Sequence, residues 1–148
     1  MLFVVKVHQH LLPVLVRHQD PLSNKVRHLI DFSNKALSGT IEAISIVDRF
    51  LEHTRAFCFH NNGQSEYYIS SADWMTRNLN RRVEVTVPIY DDKIKRQLRD
   101  HFEILWKDNT KSRIFDANQS NAYRKLNGPK IRAQLDMHAY VKKQLLKG

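Results

Sequence analysis

A lone cysteine, Cys58, serves the whole 148-residue chain. One thiol excludes an intrachain disulfide, and a structural zinc site would need mostly histidine ligands. The setting that fits is the cytosol. Cys58 lies between Phe57 and Phe59, so its side chain reads as a buried, inert thiol. Glycine and proline are scarce, four of each, which leaves no low-complexity linker and favours one domain with its own core. No repeat of solenoid length is present. No apolar run reaches the ~20 residues needed to cross a bilayer. The opening MLFVVKVHQHLLPVLV has no basic start and no small-residue cleavage site, and Lys6, His8, Gln9 and His10 interrupt it. It does not read as a signal peptide.

Acidic residues are also in deficit. Fifteen Asp and Glu stand against 24 Lys and Arg, a net charge of +9. A surplus of that size on a small domain favours anionic partners: nucleic acid, nucleotides, phosphate polymers or an anionic membrane surface. Charge alone does not choose among them, and a basic solvated surface is the plain alternative.

Hydrophobic patterning gives the elements. Residues 2–7 and 11–16 read as short strands or buried apolar pieces broken at Pro13, and a helix over 22–36 would align Leu22, Val26, Leu29, Ile30 and Ala36. IEAISIV, from Ile41, alternates as a strand, and VDRFLEH reads as a turn of helix. RAFCFH and EYYIS are aromatic-rich runs joined by NNGQS, whose Asn-Gly step predicts a hairpin. RRVEVTVPI reads as a strand with Val83, Val85 and Val87 on one face and Pro88 near its end, where a lost donor is tolerable. The clearest helix covers 91–107: Asp91 and Asp92 suit the helix dipole, and Ile94, Leu98, Phe102 and Leu105 form one stripe. KSRIFDA reads as a further strand. Pro129 is placed near the first turn of a closing helix, with Ile131, Leu135, His138 or Ala139, and Leu145 or Leu146 on one side. Together these predict a mixed α/β layer.

Chemistry concentrates around His53. Five arginines, Arg49, Arg55, Arg77, Arg81 and Arg82, lie close in sequence to the two aromatic runs. Guanidinium groups stay charged and bind phosphate oxygens in bidentate fashion. A histidine among them has its charged form disfavoured, which leaves an imidazole able to accept a proton. Phosphoryl chemistry, which depends on positioning and charge neutralisation, needs such parts. By spacing alone, a hydrogen-bonded structural histidine is the commoner case. The aromatics are likewise read first as core, though basic and aromatic interleaving also suits nucleic-acid binding. SSADW reads as turn chemistry, with Trp74 a packing residue.

Three longer stretches narrow the reading: ISIVDRFLEHTR, YYISSADWMTRNLNRRVEV and KIRAQLDMHAYVK. Together they resemble the C-terminal end of bacterial polyphosphate kinase, from about Leu37 to Gln144. The resemblance implies an α/β fold of phospholipase D-like type, a mixed sheet flanked by helices in a single domain at 38–148, after a diverged segment at 1–37. It implies an ATP-polyphosphate phosphotransferase that reversibly moves the terminal phosphate of ATP through a phosphohistidine. In that family the phosphohistidine lies in the preceding domain, to which nothing here corresponds, so the chain is expected to be inactive alone. A non-catalytic polyanion-binding module for polyphosphate or nucleic acid is the alternative. A phosphodiesterase on this fold would usually pair two histidine motifs, and one is present.

Site residues follow from the same resemblance. His53-x-Arg55 stands where phospholipase D-like domains carry His-x-Lys, and Ser70-Ser71-Ala72-Asp73 where they carry Gly-Ser-x-Asn. His53 is thereby implied to contact nucleotide phosphates as general acid or base, Arg55 to neutralise phosphate, and Ser71 to support Arg55. The family also has a phosphate-binding arginine upstream. Lys6 takes its place in VVKVHQHLLP, or Arg27 does in KVRH. Mg2+ is implied with ATP, and no metal is assigned to the chain itself. The implied partners are ATP, polyphosphate, and the remaining kinase domains or a second copy of the chain, with nucleic acid not expected. The implied location is cytoplasmic, with membrane association reached through the full enzyme.

Overall fold

The computed structural model describes residues 2–7, 16–17, 41–73, 76–114, 118 and 120–146. In chain order the elements are β1 (Leu2–Val7), β2 (Val16–Arg17), β3 (Ile41–Ile46), β4 (Ala56–Phe59), a 3₁₀ turn (Asn61–Gly63), β5 (Glu66–Ser70), α1 (Thr76–Arg81), β6 (Thr86–Ile89), α2 (Asp92–Lys107), β7 (Ser112–Ile114) and α3 (Ala133–Leu145). The α/β character read from the sequence holds. The strands divide between a four-stranded sheet, β2-β1-β3-β7, and a three-stranded sheet, β4-β5-β6. Each paired strand runs antiparallel to its neighbour. β1 lies along β3 from Leu2↔Ile46 to Val7↔Ile41.

One core joins the two sheets. Ile44 and Ile46 of β3, Ala56 and Cys58 of β4, and Tyr67 of β5 pack with Phe102 and Leu105 of α2 and Ala133 of α3. Leu98, Ile89, Ile104 and Trp106 close over this cluster. Burying a side chain such as Leu105 is worth about 1.5–3 kcal/mol, and the α2 stripe packs against residues of both sheets. Burial pushes the Cys58 thiol up, in keeping with an inert core cysteine.

α2 starts and stops on aspartates. Asp91 caps it by accepting from the Ile94 amide at 2.9 Å, and Asp92 sits in the first turn. At the other end Asp108 is fully buried. Its Oδ1 accepts the amides of Thr110, Lys111 and Ser112 at 2.9, 2.6 and 3.0 Å. Its Oδ2 accepts the amide of Ala133 at 2.7 Å. Four backbone donors satisfy a carboxylate that would otherwise be costly to bury. The same side chain ends α2, opens β7 and opens α3.

The hairpin forms as predicted, with Ala56↔Ile69 through Phe59↔Glu66 in register. Its turn needs positive φ at Asn61 (42°) and Gly63 (91°), values that Gly and Asn tolerate best. Other expectations change. VDRFLEH is not helical. Asp48 turns to the Arg49 amide and to Arg132, and the Phe50 backbone bonds to Gln134 instead of to a preceding turn. The strand expected at 81–89 begins only at Thr86: α1 runs to Arg81, and the Val85 backbone is taken up by Ser71. Val83 is 98% exposed, and Val85 and Val87 are exposed as well, so the shared face of the three valines is turned to water. β7 covers Ser112–Ile114 of the expected 111–117, and residues 115–117 lie outside the described part of the chain. The closing helix starts at Ala133, past Pro129, which instead gives its carbonyl to Asn109 Nδ2 at 2.9 Å. Leu135, Leu145 and Leu146 are exposed, and Ala133 is the α3 residue in the core. The expected helix at 22–36, residues 11–15, Arg27 and Trp74 fall outside the described residues. Among the described residues no helix is long and apolar enough to cross a membrane.

Candidate functional site

The site forms where three segments meet beside the small sheet. The loop 47–55 leaves β3 and enters β4, residues 70–73 leave β5, and residues 82–85 lead into β6. Backbone bonds fix the meeting point: the Ser70 amide donates to the Arg55 carbonyl at 2.8 Å, and the Ser71 amide to the Val85 carbonyl at 2.9 Å. Ser70 also makes the local turn. Its Oγ accepts the Ala72 amide at 3.1 Å and lies 3.0 Å from Thr86 Oγ1.

Arg55 is the hub. Its Nε donates to Asp73 Oδ1 at 2.6 Å, and its Nη2 lies 3.2 Å from His53 Nε2. A guanidinium can only donate, so in this pair Nε2 is the acceptor and the imidazole carries its proton on Nδ1. His53 itself is exposed. The structure therefore brings together the two residues singled out by the sequence, and adds a carboxylate. Asp73 half-hides with Arg55 and offsets part of its charge.

Ser71 is placed differently from the expected support of Arg55. Its hydroxyl donates to Glu84 Oε2 and accepts the Val85 amide at 3.0 Å. Asn78 Nδ2 donates to the other oxygen, Oε1, at 2.6 Å. Those bonds hold the Glu84 carboxyl below its ordinary range, Ser71 first and Asn78 next, with the charges of Arg82 and Arg55 helping. Ser71 thus anchors the segment beside the site through Glu84. Lys6 lies in β1 opposite Glu42; its side chain is outside the described part of the chain. Arg77, Arg81 and Arg82 are exposed, and the Arg49 guanidinium sits 5.5 Å from the Phe50 ring centre.

Asp73 and Glu84 were not singled out by sequence reasoning. A signal for Asp73 existed: a carboxylate stands where the comparable motif has an amide, 18 residues after an arginine that it pairs with. Glu84 gave none, since it reads as an ordinary polar position in an alternating run. Among the described residues no group of three or more His, Cys, Asp or Glu is placed to hold a metal ion. The two carboxylates at the site are already taken up by Arg55 and by Ser71 with Asn78. The arrangement suits anion handling: a guanidinium with donors to spare beside an exposed imidazole.

Comparison with known proteins points the same way. Residues 26–134 match the family model described as polyphosphate kinase C-terminal domain 2. The polyphosphate kinase of Escherichia coli strain K12 is 46% identical over 109 residues, covering 73% of this chain and 16% of that protein. The polyphosphate kinase of Yersinia pestis is 47% identical over 107 residues, covering 72% of this chain and 16% of that protein. A crystal structure of polyphosphate kinase from Porphyromonas gingivalis superposes with a TM-score of 0.68 at 39% identity, over 71% of this chain and 16% of that one. The chain thus spans about a sixth of the length of these relatives.

Proposed function

The chain belongs to the family of polyphosphate kinase C-terminal domains, and on that premise we propose that it supplies the nucleotide-phosphate end of an ATP-polyphosphate phosphotransferase site. The domain proper is taken as 38–148, of phospholipase D-like type. Residues 1–37 are taken as diverged, and the family match, which opens at residue 26, falls partly inside them. The phosphate-carrying histidine is assigned to another domain, so the chain alone should not make polyphosphate. ATP and polyphosphate are the proposed substrates. Mg2+ is taken to arrive with ATP, since the site carboxylates are engaged elsewhere. The proposed location is the cytoplasm, and the proposed partners are the remaining kinase domains or a second copy of the chain.

The observation that carries this reading is the contact between Arg55 Nη2 and His53 Nε2 at 3.2 Å. A phosphate oxygen approaching the pair would take the Nη2 donor for itself. That frees the Nε2 lone pair to accept a proton from the attacking group or, once protonated, to return it to the leaving oxygen. Arg55 neutralises charge on the phosphate, as phosphoryl transfer requires. Asp73 holds the guanidinium in place. Ser71 acts at one remove, through Glu84. Lys6 and Arg27 remain the two candidates for a further phosphate contact.

The test is a titration of ATP and of labelled polyphosphate against the chain, its His53→Ala and its Arg55→Ala variants, at several salt concentrations. Both variants should weaken binding at fixed salt, and the chain with ATP and Mg2+ should form no polyphosphate. Robust synthesis by the chain alone would overturn the assignment of the phosphohistidine elsewhere. Binding that falls steeply with salt, ignores His53→Ala and vanishes on charge reversal at Arg55 would make the domain a polyanion-binding module instead.

A further inference from the structure

The apolar side chains of the loop that carries His53 do little to hold it. Residues 47–55 contain no helix or strand, and Phe50 and Leu51 leave 62% and 66% of their surface in water. A segment so placed should move relative to Arg55. It is held instead by polar groups that come from 84 residues away in sequence, at the head of α3. The Gln134 side-chain amide pairs with the Phe50 backbone in both directions. Phe50 N donates to Gln134 Oε1 at 2.9 Å, and Gln134 Nε2 donates to the Phe50 carbonyl at 2.7 Å. Arg132 grips Asp48 with two parallel bonds, Nε to Oδ2 at 2.9 Å and Nη2 to Oδ1 at 2.6 Å. The Asp48 side chain is 1% exposed, so breaking this fork leaves a hidden carboxylate without its cation. The Asp48 carboxyl is held below its ordinary range, chiefly by the Arg132 hydrogen bonds.

The grip has a fixed base. Between the two gripping residues lies Ala133, fully buried in the core, with its amide on Asp108. The Arg132 amide donates to Asp136 Oδ2 at 2.8 Å, one turn along α3. The downstream end of the loop is tied as well, through the Arg55 carbonyl and the Ser70 amide. Gln134 also bonds the side chain of Glu52, so His53 hangs between fixed points at Glu52 and Arg55.

We propose that Arg132 and Gln134 are positioning residues that hold the His53 loop in reach of Arg55; this rests on the reading of His53 as the phosphate-handling group. Neither residue touches His53, so both act through the loop. The KIRAQ stretch is then a part of the site that reaches it from the far end of the chain.

The test reads the His53 ring directly, with histidine-labelled full-length chain and two-bond ¹H–¹⁵N spectra. The wild type should show His53 as the Nδ1-protonated tautomer, because Arg55 occupies Nε2. Gln134→Ala and Arg132→Lys should lose that signature and give the mixed pattern of an unconstrained imidazole. Arg132→Lys keeps the charge and helix propensity but not the fork, so it separates positioning from folding. Tyr140→Phe, which removes the bond from α3 to Asp100 Oδ2, should leave the signature unchanged. An unaltered His53 pattern in both folded clamp variants would overturn the proposal. So would an equal loss in Tyr140→Phe, which would reduce the effect to general loosening of α3. No ligand enters this measurement, so its result stands apart from that of the polyphosphate titration.

Discussion

The guanidinium of Arg55 and the carboxylate of Asp73 meet at 2.6 Å, Nε to Oδ1, with side chains 15% and 14% exposed. Removing one partner from a pair so sheltered strands the other, at a cost of about 1–3 kcal/mol. Arg55→Ala should therefore lower stability as well as anion binding. Asp73→Asn, which keeps an oxygen acceptor, should cost less, while letting the guanidinium swing. Urea unfolding midpoints of the two variants check the order. Equal loss in both, or none in Arg55→Ala, would mean that the pair does not hold the site together.

Ser71 feeds Glu84 rather than Arg55, and that has a pH signature. The Glu84 carboxyl sits below its ordinary value first because of Ser71 and then because of Asn78. A depressed carboxyl contributes stability that is present above its unfolded value, near 4.5, and lost as pH falls through the folded value. Ser71→Ala should raise the Glu84 titration toward 4.5 and lower acid stability. Carbon-detected titration of the Glu84 carboxyl measures the first effect. A midpoint that does not move in Ser71→Ala contradicts the assigned role.

His101 gives a second pH effect, in the neutral range. Its Nε2 is buried with no hydrogen-bond partner among the described residues, and burial lowers its proton affinity below the ordinary 6.5. The groove around it is lined by Lys93, Gln97, Tyr140 and Gln144, none of them a carboxylate that would favour the imidazolium. The unfolded chain thus binds the proton more readily than the folded one. Stability from this group is present above 6.5 and is lost as pH falls toward the folded value. Comparing urea midpoints at about pH 7.5 and about pH 5.5 should show the drop, and His101→Leu should flatten it. Glu52 works in the opposite sense. Burial pushes its carboxyl up, so its contribution is lost as pH rises from 4.5, and the wild type against His101→Leu comparison cancels it.

Local signals in the sequence were faithful where the physics is local. Asp91 and Asp92 marked the start of α2, and its stripe led to Phe102 and Leu105 in the core. Asn-Gly marked the hairpin turn. The His53-x-Arg55 pair, implied by the resemblance, lies two residues apart, and it forms. Long-range capture of side chains was illegible. Nothing in the alternation of RRVEV tells that Glu84 is claimed by Ser71 and Asn78, which leaves Val83 in water. VDRFLEH lost its expected helical turn to bonds with residues 84 positions away. Such partners carry no period, so hydrophobic patterning cannot find them.

Asp108 has a consequence for how the molecule comes apart. Its one carboxylate is shared by the amides of Thr110, Lys111, Ser112 and Ala133. Displacing the Asp108 side chain would release all four at once, so this carboxylate links α2, β7 and α3. Native-state hydrogen exchange should find these four amides sharing one opening free energy, and Asp108→Asn, which removes an acceptor oxygen, should lower it for all together. The grip on the His53 loop springs from the same unit. Loosening of this joint at Ala133 should therefore pass to the neighbouring Arg132 and Gln134, and from them to the loop.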